Sequence, residues 1–180
     1  MRDRASEAGD GCPGSRRVTD FDRAVEVVLQ HEGGLVDDPD DPGGITNHGI
    51  SLRFLRRVRP GARPDEIRNL TRDEAIELYR RHFWERYGYG RLPDVSIATK
   101  VFDLSVNMGP RGAHVCLQRA LRAAGEPVFE DGILGPKTLA AVHRARSDVL
   151  LAALRSEAAG YYRNRRRPKY IAGWLNRAYS

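Results

Sequence analysis

The chain has 180 residues, a formal net charge of +6 and two cysteines, Cys12 and Cys116. That length accommodates a real hydrophobic core without staples, and two distant cysteines exclude a disulfide-dense scaffold. The excess of Lys and Arg points to an anionic partner and does not by itself choose among nucleic acid, a membrane surface and a wall polymer.

Residues 1–17 mix Gly, Ser and charge without periodicity and read as a disordered tail. The tail has no apolar run, so it is neither a Sec-type signal nor a membrane span. The expectation is synthesis in the cytoplasm and release by another system. From Thr19 the pattern turns helical: Phe21, Ala24, Val25, Val28 and Leu29 form one apolar stripe, which Gly33 and Gly34 end. Pro39, Pro42, Gly43 and Gly44 among Asp37, Asp38, Asp40 and Asp41 are loop or hairpin chemistry. Two short strands are expected around Leu35 and Val36, and around Ile45 and Thr46.

A short helix is expected over 52–58. Thr71 and Glu74 form a capping box ahead of a helix running to about Tyr87, with Ile76, Tyr79 and Phe83 inward. Asp94 caps another helix, which ends near Gly109. Pro110 opens the next, whose inner face is Ala113, Cys116, Leu117, Ala120, Leu121 and Ala124. Pro136 starts a helix through Val142, and Ser147 caps a helix running to Tyr162. The basic run of Arg163, Arg165, Arg166, Arg167 and Lys169 precedes a short amphipathic piece with Trp174 and Leu175. The reading is mostly α, with one small hairpin. No linker divides the chain, so a disordered tail (1–18) and two lobes (19–93 and 94–180) are expected, the lobes integrated in one domain.

Glu32 is the residue that fits a structural role least. It lies about three helical turns beyond Phe21, on the apolar stripe. It also lies at the helix C-terminus, where the dipole opposes a negative charge. Both effects are expected to raise its pKa, as a carboxylic acid needs if it is to protonate a glycosidic oxygen. The alternative is a solvated side chain at a frayed helix end. Asp41 and Thr46 follow on a tight loop, where a carboxylate and a hydroxyl together hold a water, or where the acidic run merely shapes turns. Gly43 and Gly44 leave room for a sugar chain to approach the backbone.

Other chemistries lack their residues. His31-Glu32 would open a zinc-protease helix motif, but position 35 is Leu. His48, His82, His114 and His143 have no ligand spacing, and the acidic run lacks the order of a calcium loop. No metal and no organic cofactor is expected. Cys116 falls on an apolar helix face, as a buried structural thiol does.

Three runs of residues carry a resemblance. They are His31-Glu32-Gly33-Gly34-Leu35-Val36, Asp38-Pro39-Asp40-Asp41-Pro42-Gly43-Gly44-Ile45-Thr46, and Gly49-Ile50-Ser51. Together they resemble glycoside hydrolase family 108, whose members are N-acetylmuramidases. Phe102-Asp103, Val106-Asn107, Gly109, Leu117-Gln118 and Asp131-Gly132-Ile133-Leu134-Gly135-Pro136-Lys137-Thr138-Leu139 are similar to the peptidoglycan-binding module of such proteins. The resemblance implies a lysozyme-like fold of two helical lobes, with the hairpin beside the helix end carrying Glu32. It implies hydrolysis of the β-1,4 bond between N-acetylmuramic acid and N-acetylglucosamine, with Glu32 as general acid, Asp41 on the water and Thr46 assisting. The Glu–Asp–Thr order is also similar to that of phage-type lysozymes. The Asp-to-Thr gap is one residue shorter here, which leaves Asp40 as an alternative to Asp41.

Candidate glycan contacts are Gly33, Gly44, Tyr79 and Trp84. Asp103, Asn107 and Gln118 are read either as further contacts or as a buried polar network. The implied partner is peptidoglycan, bound by a monomer, with no nucleic acid and no stable membrane insertion; the implied place of action is the wall, after release by a holin or a secretion system. A lytic transglycosylase and a non-catalytic wall binder remain the alternatives.

Overall fold

A computed structural model describes residues 18–32, 34–37, 44–165 and 168–180. Gly33, Asp40, Asp41, Arg166 and Arg167 lie outside the described residues, as does the expected tail up to residue 17.

Helix α1 (Asp20–His31) begins with a capping box. The Thr19 hydroxyl accepts from the Asp22 backbone N–H, and the Asp22 carboxylate accepts from the N–H of Thr19. Two donors that the first turn would leave orphaned are thereby satisfied. Phe21, Ala24, Val25 and Val28 are buried, as their spacing predicts. The chain leaves the helix at Glu32, whose backbone is extended while its N–H still donates to Val28 O.

The expected pairing of the 35–36 and 45–46 segments is present, reduced to one bridge, and the ladder continues into a tighter hairpin. Strands β1 (Thr46–Asn47) and β2 (Ile50–Ser51) pair antiparallel, and Val36 joins Thr46 through a single bridge. His48 and Gly49 make the turn, with φ of +48° and +75°. Two successive left-handed residues give the twist that a two-residue hairpin needs. The Asn47 side-chain amide ties the hairpin down by donating to Ile67 O and Leu70 O. Helix α2 (Leu52–Val58) follows directly, capped by Ser51. A short helix that the sequence reading lacks, α3 (Pro64–Arg68), supplies the Ile67 carbonyl.

Thr71 and Glu74 form the expected box at the start of α4 (Arg72–Tyr79). The helical run reaches Tyr87 as expected, but with a π segment, Arg80–Glu85, inside it, in which the adjacent Phe83 and Trp84 are both buried. Their rings, with those of Phe21, Tyr79 and Tyr89, surround Phe102 at centroid distances of 5.6–6.4 Å. Phe102 belongs to α5 (Val95–Met108), capped by Asp94. Helix α5 is the spine of the molecule: α1 packs on one side of it, α6 (Pro110–Ala123) and α8 (Ser147–Asn164) on another. Helix α7 (Pro136–Arg144) leans on α6. The last helix, α9 (Pro168–Tyr179), is longer than the short piece expected, and it packs on α8.

Gln118 on α6 is fully buried. Its oxygen accepts from the Gly132 N–H at 2.8 Å, and its nitrogen donates to Asp131 and to Ile133 O. It therefore braces the loop before α7 and offers a glycan nothing. Cys116 is buried, and burial pushes its thiol up to about 11, which leaves an inert structural thiol. Among the described residues no helix is long and apolar enough to cross a membrane.

Gly49 yields the first prediction. A Cβ there would overlap Glu32 Cγ and the Tyr79 hydroxyl, whereas at Gly61 (φ +87°) it would meet nothing. Gly61→Ala is expected to cost only the left-handed strain, about 1–3 kcal/mol. Gly49→Ala is expected to cost more, because Glu32 or Tyr79 must also move. Urea unfolding of the two variants checks this, and equal losses would contradict it.

Candidate active site

Glu32 stands where α1 stops, and its side chain remains 19% exposed. Its Oε1 accepts from Arg177 Nη2 at 2.5 Å. Arg177 comes from α9, and its Nε donates to Asp103 Oδ1 on α5 at 2.9 Å. The side chains of Arg177 and Asp103 are only 8% and 1% exposed. His31 Nδ1 lies 3.1 Å from the same Asp103 oxygen. Lys100, one turn earlier on α5, donates to the backbone oxygen of Arg177 at 2.6 Å and so anchors the residue from which the guanidinium hangs. Three helices thus converge on one arginine.

The electrostatics follow from this geometry. Burial lowers the Arg177 pKa, and the Asp103 and Glu32 carboxylates more than reverse the effect, holding the guanidinium above its ordinary range. Burial draws the Lys100 ammonium down to about 8, against the pull of Asp103. Among the described residues Glu32 Oε2 has no hydrogen-bond partner, so one oxygen of the carboxyl is clamped and the other is open.

Tyr79 is buried in the aromatic core, yet its hydroxyl donates to His48 O at 3.0 Å and fixes the hairpin turn against Glu32. Burial, with the Glu32 carboxylate adding to it, pushes this phenol well above its usual range, so it stays a donor.

Two openings flank the acid. On the hairpin side a cavity of about 190 Å³ is lined by Gly49, Ser51, Tyr79, Ser105 and Val106. On the α9 side a groove of about 440 Å³ is lined by His31, Asn107, Tyr170, Trp174, Asn176 and Arg177. Glu32 abuts the wall of the first at Gly49 and of the second at Arg177. Glu32 thus has one oxygen held by Arg177 and adjoins, through Gly49 and Arg177, the linings of two depressions.

The family model described as Glycosyl hydrolase 108 matches residues 25–109, and one described as Predicted Peptidoglycan domain matches residues 112–179. The solved structure of Brucella abortus SagA is 30% identical, with a TM-score of 0.75 over 88% of each chain. The chain belongs to glycosyl hydrolase family 108. Comparison with curated proteins finds no match.

In this family 108 chain the two matched segments meet at the α5–α6 corner, and the ion network crosses that boundary. The hydrolase segment supplies Glu32, Asp103 and His31, and the peptidoglycan segment supplies Arg177. Arg177 is the site residue that sequence reasoning missed. It is 145 positions from Glu32, and its helix carries no local signal of a charged partner.

The other candidates separate. Thr46 lies on the hairpin that meets Glu32; its hydroxyl donates to Gly44 O at 3.3 Å, and its backbone pairs with Val36. Gly44 takes a φ of +72°, which accounts for glycine there. Asn107 is exposed at the end of α5 and accepts from the Tyr162 hydroxyl. Asp103, read as a sugar contact or a network member, is the latter. Trp84 and Tyr79, read as candidate sugar contacts with core packing as the alternative, both pack around Phe102, and Tyr79 also contributes to the lining of the hairpin-side cavity. Among the described residues no cluster of three or more His, Cys, Asp or Glu is placed to hold a metal ion. In the basic run, the Arg165 guanidinium lies 4.9 Å over the Tyr161 ring.

Removing the shared cation should be costly. Arg177→Met leaves the buried Asp103 carboxylate without its cation, which is expected to lose about 3–5 kcal/mol of stability. Adding Asp103→Asn should recover part of that loss, because the neutral amide is cheaper to bury. Denaturant unfolding of the two single variants and the double variant measures the coupling. Strict additivity would show that the contact carries no interaction energy.

Proposed function

We propose that the protein is an N-acetylmuramidase, hydrolysing the β-1,4 bond between N-acetylmuramic acid and N-acetylglucosamine in peptidoglycan, with Glu32 as general acid. The observation that carries this reading is the half-clamped carboxyl between two depressions, in a chain of glycosyl hydrolase family 108. In the acid form, Oε1 stays on Arg177 while Oε2 delivers its proton to the leaving glycosidic oxygen. Bond cleavage builds positive charge at the anomeric carbon, and a water attacks there. Asp41 positions or activates that water, and Thr46 assists from the hairpin. The Gly-rich segment around Gly33 and Gly44 borders the strand. Tyr79 and Asp103 act one step removed, by holding the turn and the arginine against the acid.

The network bears on timing as well. A carboxyl whose orientation is set before substrate arrives loses little freedom on reaching the transition state. An arginine locked by Asp103 and the Lys100 contact is such a support, since neither hydrogen bond of its fork has to form during the reaction.

Purified sacculi test the reading. Glu32→Gln keeps an oxygen for Arg177 and is expected to fold normally. Its rate of release of soluble fragments should fall by about 10²–10⁴-fold. Mass spectrometry of the wild-type products should find free reducing muramic ends; 1,6-anhydro ends would identify a transglycosylase instead. A Glu32→Gln protein clearing sacculi within tenfold of wild type would reject the acid assignment.

The same assay separates the loop residues. Asp41→Asn and Thr46→Ala are expected to lower kcat more than they raise KM, because both act on the water rather than hold the glycan. A silent Asp41→Asn beside a damaging Asp40→Asn would transfer the role to Asp40.

A further inference from the structure

We propose that the groove between the end of α5 and α9 is a saccharide subsite, taking one N-acetylated pyranose of the glycan strand, with Tyr170, backed by Trp174, at its aromatic edge and Asn107 and Asn176 as its polar contacts. The inference rests on the muramidase reading for the direction of the strand. It goes beyond that reading in assigning residues that neither matched segment identifies as binding.

The aromatic arrangement comes first. Tyr162, Trp174 and Tyr170 form a ladder of near-parallel rings, with centroids 5.4 and 5.7 Å apart and interplanar angles of 24° and 27°. The ladder starts at the buried Tyr162 and ends at Tyr170, which is 42% exposed. Tyr170 and Trp174 are one helical turn apart on α9 and both line the groove. A pyranose has an apolar face of C–H bonds, and flat rings combining an apolar body with a polar edge are suited to cover it.

The polar groups come second. The Tyr162 hydroxyl donates to the Asn107 side-chain oxygen at 2.9 Å. That bond fixes which end of the amide is spent, and among the described residues the amide nitrogen has no partner and remains a donor. Asn176 is exposed on the same helix. Hydroxyl and acetamido groups both donate and accept, so a pair of amides matches them.

Charge narrows the class of ligand further. The guanidinium in the wall, Arg177, is already shared by two carboxylates. The lining thus favours a neutral ring over a phosphate. A depression of about 440 Å³ also falls within the usual range for small-ligand sites, roughly 300–1,000 Å³. Because Arg177 both lines the groove and clamps Glu32, a ring bound there lies beside the acid, on the side away from the hairpin cavity. The strand would then run from the Gly49–Ser105 cavity, past Glu32, into the α9 groove.

The test is calorimetric titration of chitotetraose, a neutral N-acetylglucosamine oligomer, into the intact Glu32→Gln chain. This chain is expected to bind it. Adding Tyr170→Ala and Asn176→Ala should weaken Kd at least tenfold while the variant keeps a single cooperative unfolding transition. Trp174→Phe, which keeps a ring on Tyr162, should weaken binding less than the pair does. Absence of measurable binding to Glu32→Gln, or a Kd within twofold of the parent in the Tyr170/Asn176 variant, overturns the subsite. Failure of the wild-type protein to cut sacculi would reject the muramidase reading separately, since the titration reads binding and not turnover.

Discussion

One guanidinium shared by two carboxylates is the constraint on which this molecule is arranged. Arg177 joins Glu32 to Asp103 in a site where water is largely absent, and Lys100 fixes its backbone. Taking such charges out of water costs several kcal/mol per ion, so a buried network of this kind contributes little net stability over a well-packed apolar alternative. Its consequence is positional. Three helices that could slide against one another on apolar contacts alone are held to the one register in which the charges meet. The Glu32 carboxyl is thereby oriented by Arg177, whose side chain, like that of Asp103 behind it, is buried.

The aromatic core performs the complementary task with non-directional forces. Phe102 sits one residue before Asp103, so the ring that centres the core and the carboxylate that anchors the arginine occupy adjacent positions on α5. Packing Phe21, Tyr79, Phe83, Trp84 and Tyr89 around Phe102 therefore sets the height of Asp103 as well. Tyr79 extends this control across the cleft. Its ring is part of the core while its hydroxyl holds the His48 carbonyl, and the Gly49 beside it has no Cβ to displace Glu32. Core packing and site geometry are the same set of contacts in this protein, and a change in either is expected to register in both.

The two matched segments, hydrolase and peptidoglycan domain, are therefore not independent modules joined end to end. The spine helix α5 belongs to the first by sequence but packs against α6 and α8 of the second. The second returns Arg177 to the acid of the first. The subsite proposed on α9 lies on the same helix that carries Arg177, so it and Glu32 share one set of contacts.

Much of this was legible along the chain, and the boundary between legible and illegible has a physical basis. The apolar stripe of α1, the capping box that starts α4, the span of α2 and the buried face of α6 all depend on contacts within a few residues, and periodicity and caps report those directly. Glu32 was conspicuous for the same local reason, a carboxylate on an apolar stripe at the wrong end of a dipole. The expected pairing shrank to one bridge, and the tighter hairpin was not read because the left-handed pair at His48 and Gly49 is a weaker signal than the Pro and Gly preceding it; the π segment arose because the helix yielded its regular winding to tertiary packing of adjacent rings. Burial of Gln118 and Trp84, and the choice of Asp103 as anchor rather than sugar contact, were decided by which elements lay opposite them. Sequence alone singled out Glu32; only the tertiary structure decided what holds it, because an ion pair spanning 145 positions leaves no mark on the local pattern of either partner.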